Sequence, residues 1–123
     1  MLQRLQHATQ ALAAPAEVQL QLYPEFAAQP DELGLDYGEA LAQAMELPEW
    51  GKLRGSGREL LLKLEDYLNQ MSVPSRRHVW TEPGLRSAPE WAAIRTTAAA
   101  ALLMLHWPEG PPPRSPDTFV AAV

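Results

Sequence analysis

The chain has 123 residues with a net charge of −5, 46% apolar and 20% charged residues, and no cysteine. That is the make-up of one globular domain able to bury a core of its own, and it excludes disulfide frameworks, thiol nucleophiles and cysteine-ligated zinc. The acidic balance argues against general nucleic-acid binding, and no apolar run approaches the roughly eighteen residues that a membrane helix needs.

Leu2, Leu5 and Leu12 fall on one side of residues 1–14 at helical spacing, and Pro15 ends the pattern. Gln and His interrupt the apolar residues, so the stretch lacks the continuous apolar region of a signal peptide. From Glu17 to Tyr23 the period changes: Val18, Leu20 and Leu22 alternate with Gln19 and Gln21, as in a strand. Leu33, Leu35 and Tyr37 alternate again. The pair suits a short β-hairpin within 17–37; the alternative is an extended segment held against helices. Asp36 and Glu39 have capping-box spacing and open a predicted helix over 37–47, with Leu41, Ala44 and Met45 on its apolar face. Pro48 ends that helix or begins another turn carrying Trp50.

The glycine-rich stretch 51–57 lacks phosphate-loop spacing and reads as a connector, with an anion cradle using Arg54 and Arg58 as its functional alternative. Ser56 and Glu59 form a second capping box before the clearest helix, 56–72, in which Leu60, Leu61, Leu64, Leu68 and Met71 recur at three and four. The stretch SRRHVWTEPGLRSAPEW, residues 75–91, reads mostly as punctuation. Val79 and Trp80 cover one end of the core, Thr81 caps a short turn, and Ser87, Pro89 and Glu90 start the last helix over 88–106. Trp91, Ile94, Ala98, Ala101, Leu102 and Leu105 form its core face. From Ala98 onward it is apolar all round, which predicts a central rod surrounded by the other segments. Pro108 closes it, and 108–123 is a proline-rich tail in which Phe119 and Val120 suit docking back on the body.

The expected fold is mainly α: a compact bundle of about four helices, near 1–14, 37–47, 56–72 and 88–106, around a buried C-terminal helix. Residues 1–107 form the domain and 108–123 the tail. The predicted core is Leu5, Leu12, Leu41, Met45, Leu60, Leu61, Leu64, Leu68, Trp91, Ile94, Ala98, Leu102 and Leu105.

Little in the chain suggests catalysis. His7, His78 and His106 lack metal-ligand spacing, and Ser56, Ser72, Ser75, Ser87 and Ser115 lack a nucleophile-elbow context. No catalytic residue, metal or cofactor is expected. Arg76, Arg77 and His78 are candidates to hold an anion, though basic residues after a helix more often complement its C-terminal dipole. One feature rises above the background. Glu17, Glu25, Asp31, Glu32, Asp36, Glu39, Glu46 and Glu49 follow one another with no lysine or arginine between them, whereas basic residues prevail from Trp50 to Arg95. Either the two halves neutralise each other on packing, or an acidic surface remains to steer a basic protein partner. The candidate partner-binding residues are then Glu25, Asp31, Glu32, Asp36, Glu39, Glu46 and Glu49.

The segments DELGLDYGEAL, MSVPSRRHVWTEPGLRSAPEWAAIR and LHW, within residues 31–107, resemble small bacterial proteins that include immunity proteins of secreted-toxin systems. Trp80-Thr81, Leu85-Arg86 and Pro89-Glu90-Trp91 are the distinctive words. The resemblance implies a cytoplasmic helical protein that neutralises a basic toxin domain, and assigns a role to no particular residue. The competing expectations are an assembly subunit dimerising through Trp50 or Trp80, and a small enzyme or anion binder at Arg76, Arg77 and His78.

Overall fold

The structure, a computed structural model, describes residues 2–23, 29–53 and 55–112. Leu5, Ala8 and Leu12 recur on one side of α1 (Gln3–Ala13) and are buried there. Pro15 disfavours helical backbone in the residue before it, and Ala14 is extended. The predicted strand at 17–23 is overturned: Ala16–Gln19 make a single turn, α2, and turns carry the chain to Tyr23. Among the described residues there is no strand, and residues 24–28, within the expected hairpin, lie outside them. The alternation misled because the polar member, Gln19, is the fully buried one, while Val18 and Leu20 are half-buried.

α3 (Gln29–Ala44) begins well before the predicted start at 37. Leu33, Tyr37, Ala40, Leu41 and Ala44 are buried at helical spacing, and Leu35 points to solvent. Asp36 and Glu39 therefore sit inside the helix rather than opening it. Met45, predicted in the core, lies past the last turn and is exposed. After α4 (Pro48–Gly51) comes α5 (Gly55–Gln70), whose first turn already contains Ser56, so the expected capping box does not start it. Leu61, Leu64 and Leu68 of α5 are buried; Leu60 is half-buried, a weaker core position than its spacing suggests.

A 3-10 segment, Pro74–Trp80, follows. Thr81 caps α6 (Glu82–Ser87) as expected, its hydroxyl accepting from the Gly84 N–H at 3.0 Å. α7 (Pro89–Leu105) has Pro in its first turn, but its cap position is Ala88, and the Ser87 hydroxyl donates back to the Pro83 carbonyl at 2.9 Å. Ser87, expected to help start this helix, therefore does not cap it. α7 ends at His106 in the left-handed region, φ 57° and ψ 36°. Trp107 N–H reaches the Leu102 carbonyl at 2.9 Å and His106 N–H the Leu103 carbonyl at 3.2 Å, the paired bonds of a Schellman end.

α7 packs along α5 and α1, and α1 packs on α3. Trp91, Ile94, Ala98, Ala101 and Leu102 face that core, and Leu105 is half-buried. The expected rod enclosed on all sides is not found. Ala92, Ala93, Thr96, Ala99, Leu103 and Met104 form an outer side at the surface, with Leu103 63% exposed. Most of these side chains are small, so leaving that side uncovered exposes little apolar area. No described helix is long and apolar enough to cross a membrane. The proline-rich segment touches the body as far as it is described: Gln10 Nε2 donates to the Pro108 carbonyl at 3.0 Å, and Pro112 is buried. Residues 113–123, with Ser115, Phe119 and Val120, lie outside the described residues.

One polar node ties the helices together. The Gln19 amide donates through Nε2 to the Ala11 and Leu12 carbonyls, at 3.0 and 3.1 Å, at the buried C-terminal end of α1. Its Oε1 accepts from Arg95 Nε and Nη2 at 3.2 and 2.9 Å, and Arg95 also donates to the Leu85 carbonyl. A second constraint is close backbone approach at Gly84, where an added Cβ would stand 2.6 Å from the His78 carbonyl oxygen and 2.7 Å from that of Val79.

Gln19→Leu keeps the volume but leaves the Leu12 carbonyl without its side-chain donor and Arg95 with only the Leu85 carbonyl; chemical denaturation is expected to show a loss of about 2–4 kcal/mol. Gly84→Ala is expected to cost about 1–3 kcal/mol by the same measurement, because backbone rather than a movable side chain blocks the new methyl. His106→Gly is expected to gain up to about 1 kcal/mol by relieving the left-handed backbone.

Candidate functional site

The charge segregation seen in the sequence is partly resolved by packing. Arg4 on α1 reaches Asp36 at 3.3 Å and Glu39 at 3.6 Å, and the Tyr23 hydroxyl donates to Asp36 at 3.4 Å. Arg86 on α6 reaches Glu17 at 3.3 Å. The Glu49 carboxyl at the start of α4 is held below its ordinary range, first by its own backbone N–H. Glu25 lies outside the described residues. Asp31, Glu32 and Glu46 remain, and none makes an ion pair among the described residues. Asp31 and Glu32 occupy the first turn of α3, where the helix dipole favours negative charge. Glu46 lies between two helices, past the C-terminus of α3 and just before the Leu47 cap of α4.

Asp31 and Glu39 border a groove. α3 and α5 run antiparallel, with Gly34 near Leu68 and the buried Tyr37 hydroxyl donating to the Leu61 carbonyl at 2.6 Å. Burial, aided by the Glu65 charge, pushes the Tyr37 phenol above its ordinary range, so it stays a donor. The helices touch over only a short stretch, and an open groove of about 740 Å³ runs beside the contact. Gly34, Leu35, Gly38 and Ala42 line it from α3, Leu68 and Asn69 from α5, and Asp31 and Glu39 stand at its edge. Leu35 is 62% exposed, and Met45, one turn beyond Ala42, is 48% exposed.

Trp80 lines one end. Its Nε1 donates to the Met71 carbonyl at 2.7 Å, and its ring meets Trp91 edge-on, with centroids 5.4 Å apart and planes at 83°. The same ring lies over Gly34, where an added Cβ would be 3.0 Å away. Gly34 is therefore required by its own tryptophan. Gly38 is not: an added Cβ there meets nothing within 4 Å. Trp50 and Trp80, the residues suggested for dimerisation, both pack partly against the core.

The anion-binding candidates divide between different depressions. Arg76 is ion-paired with Glu90 beside Tyr67 and Gln70, and the Glu90 carboxyl is held below its ordinary range by its own backbone N–H and then by Arg76. Arg77 is exposed in a second depression beside Asp31 and Trp80. His78 is exposed, and its carbonyl accepts from the Thr81 hydroxyl at 2.8 Å. Sequence reasoning found Asp31, Glu32, Glu39 and Glu46 but missed Gly34, Leu35, Gly38, Ala42 and Asn69. The signal for three of these is the small residues at 34, 38 and 42, one helical row that is visible only once the helix is extended back to Gln29.

Gly38→Ala is expected to stabilise the isolated protein by about 1 kcal/mol, since a mid-helix glycine is costly and open space receives the methyl; thermal denaturation measures it, and a destabilised variant would contradict the open geometry. Comparison of the chain with protein-family models, with curated proteins and with solved structures finds no match.

Proposed function

We propose that the chain is a small protein-binding module whose α3–α5 face holds a basic protein, in the manner of an immunity protein that blocks a toxin domain in the cytoplasm. The observation that carries the reading lies on α3. Exposed Leu35 lines the groove beside Asp31, which makes no ion pair among the described residues although Arg77 stands in the neighbouring depression, and exposed Met45 and Glu46 follow the end of the same helix. An apolar patch with a charged rim is the anatomy of a protein interface. Long-range attraction to the rim speeds encounter, and the apolar centre supplies affinity once water leaves. A second reading, an assembly subunit, finds its best surface on the outer side of α7, where Leu103 and Met104 are exposed; a dimer in light scattering that Leu103→Lys dissolves would favour it.

The test is a photo-crosslinking residue at position 35 in the source cells, with position 99 on α7 as control. The expected result is capture of one basic protein from position 35 only. The purified pair should associate about tenfold or more slowly at raised salt. A partner captured equally from both positions, or an association rate indifferent to salt, would contradict the reading.

A further inference from the structure

We infer that the partner segment seated in the α3–α5 groove is an α-helix of about three turns, apolar on one side and flanked by lysine or arginine. The inference rests on the binding reading above and names what occupies that face. Its first support is Gly38. Glycine is the poorest helix former after proline, and this one lies in the middle of a sixteen-residue helix. Nothing inside the molecule needs it, because a side chain at this position would meet only open space. Its neighbours in the row, Gly34 and Ala42, are also small, and all three line the groove. A surface without side chains lets another backbone come close, and helices approach to about 8–10 Å between axes only where contact side chains are small enough.

The second support is size and shape. From Asp31 to Ala42 the α3 wall runs about 16 Å at helical rise, which matches three turns of a partner helix. Strand addition needs an exposed sheet edge, and the described residues contain no strand. The third support is charge. Asp31 and Glu39 stand about two turns apart along α3 at the groove, and Asn69 and Ser72 add polar groups on the α5 side. Arg4 is shared between Asp36 and Glu39, so it compensates only part of this edge. A helix with apolar residues at three- and four-residue spacing would lay them over Gly38, Ala42 and Leu68, and its flanking cations would meet the acids.

The probes are three synthetic peptides of about fourteen residues, titrated against the isotope-labelled full chain by NMR. One carries leucines on one helical face and lysines and arginines elsewhere; the second has two central prolines; the third replaces every cation by glutamate. The first is expected to shift the Gly34, Gly38, Ala42 and Asn69 amides, the second to bind at least about tenfold more weakly, and the third not to bind. Gly38→Leu, shown folded by circular dichroism, is expected to weaken the first peptide at least about tenfold. Equal binding of the proline peptide, or indifference to Gly38→Leu, overturns the helical occupant while leaving a basic partner in place. Shifts elsewhere, no shifts at all, or equal binding of the acidic peptide overturn the α3–α5 face itself.

Discussion

The architecture depends on one buried amide. Gln19 has no solvent exposure, yet its donors and its acceptor are all used by the Ala11, Leu12 and Arg95 contacts. It closes a helix end that Pro15, having no N–H of its own, leaves short of donors beyond the long Ala14 N–H bond to the Ala11 carbonyl at 3.4 Å. It also receives the guanidinium of Arg95, which projects from the middle of α7 and meets no carboxylate among the described residues. Burial lowers the Arg95 pKa from its ordinary value, a mark of the desolvation that neutral oxygens must offset. The Gln19 oxygen and the Leu85 carbonyl provide that compensation. Hence α1, α2, α6 and α7 meet at two side chains.

The node reaches the groove through a series of short contacts. The Leu85 carbonyl holds α6 to Arg95, and Gly84 lets α6 lie against the carbonyls of His78 and Val79. Trp91 Nε1 donates to the Val79 carbonyl at 2.7 Å, which fixes the 3-10 segment on α7. Trp80, next along that segment, then stands against Trp91, bonds Met71 at the end of α5, and covers Gly34 on α3. The stretch that looked like punctuation thus positions one wall of the groove, although its arginines and histidine do not gather at one place.

How far the sequence could be read depended on which residue types marked each boundary. Prolines at 15, 89 and 108 and the Thr81 cap carried local information that survives folding, so the turn after Thr81 and the last helix were placed closely, whereas the 3-10 segment Pro74–Trp80 was not foreseen. Capping-box words were less reliable: Asp36 with Glu39 and Ser56 with Glu59 lie inside helices, because such pairs are also ordinary surface residues spaced to face solvent. The 17–23 alternation failed because polarity stood in for exposure, and Gln19 inverts that relation. Leu33 and Tyr37, four apart, fit helix as well as strand, and the helical choice was hidden until α3 was known to begin at Gln29. The acidic residues of the candidate face were legible as a cluster. Their division into paired and unpaired members was not, since Arg4 and Arg86 reach them across the fold.

The most direct test of the central claim is a double-mutant cycle between Gln19→Leu and Arg95→Met, read by equilibrium denaturation. If the two side chains act as one node, the second substitution should cost much less once the first is present, with a coupling energy of about 1–3 kcal/mol. Costs that simply add, to within about 0.5 kcal/mol, would show that Gln19 and Arg95 stabilise the fold independently and that no shared node exists.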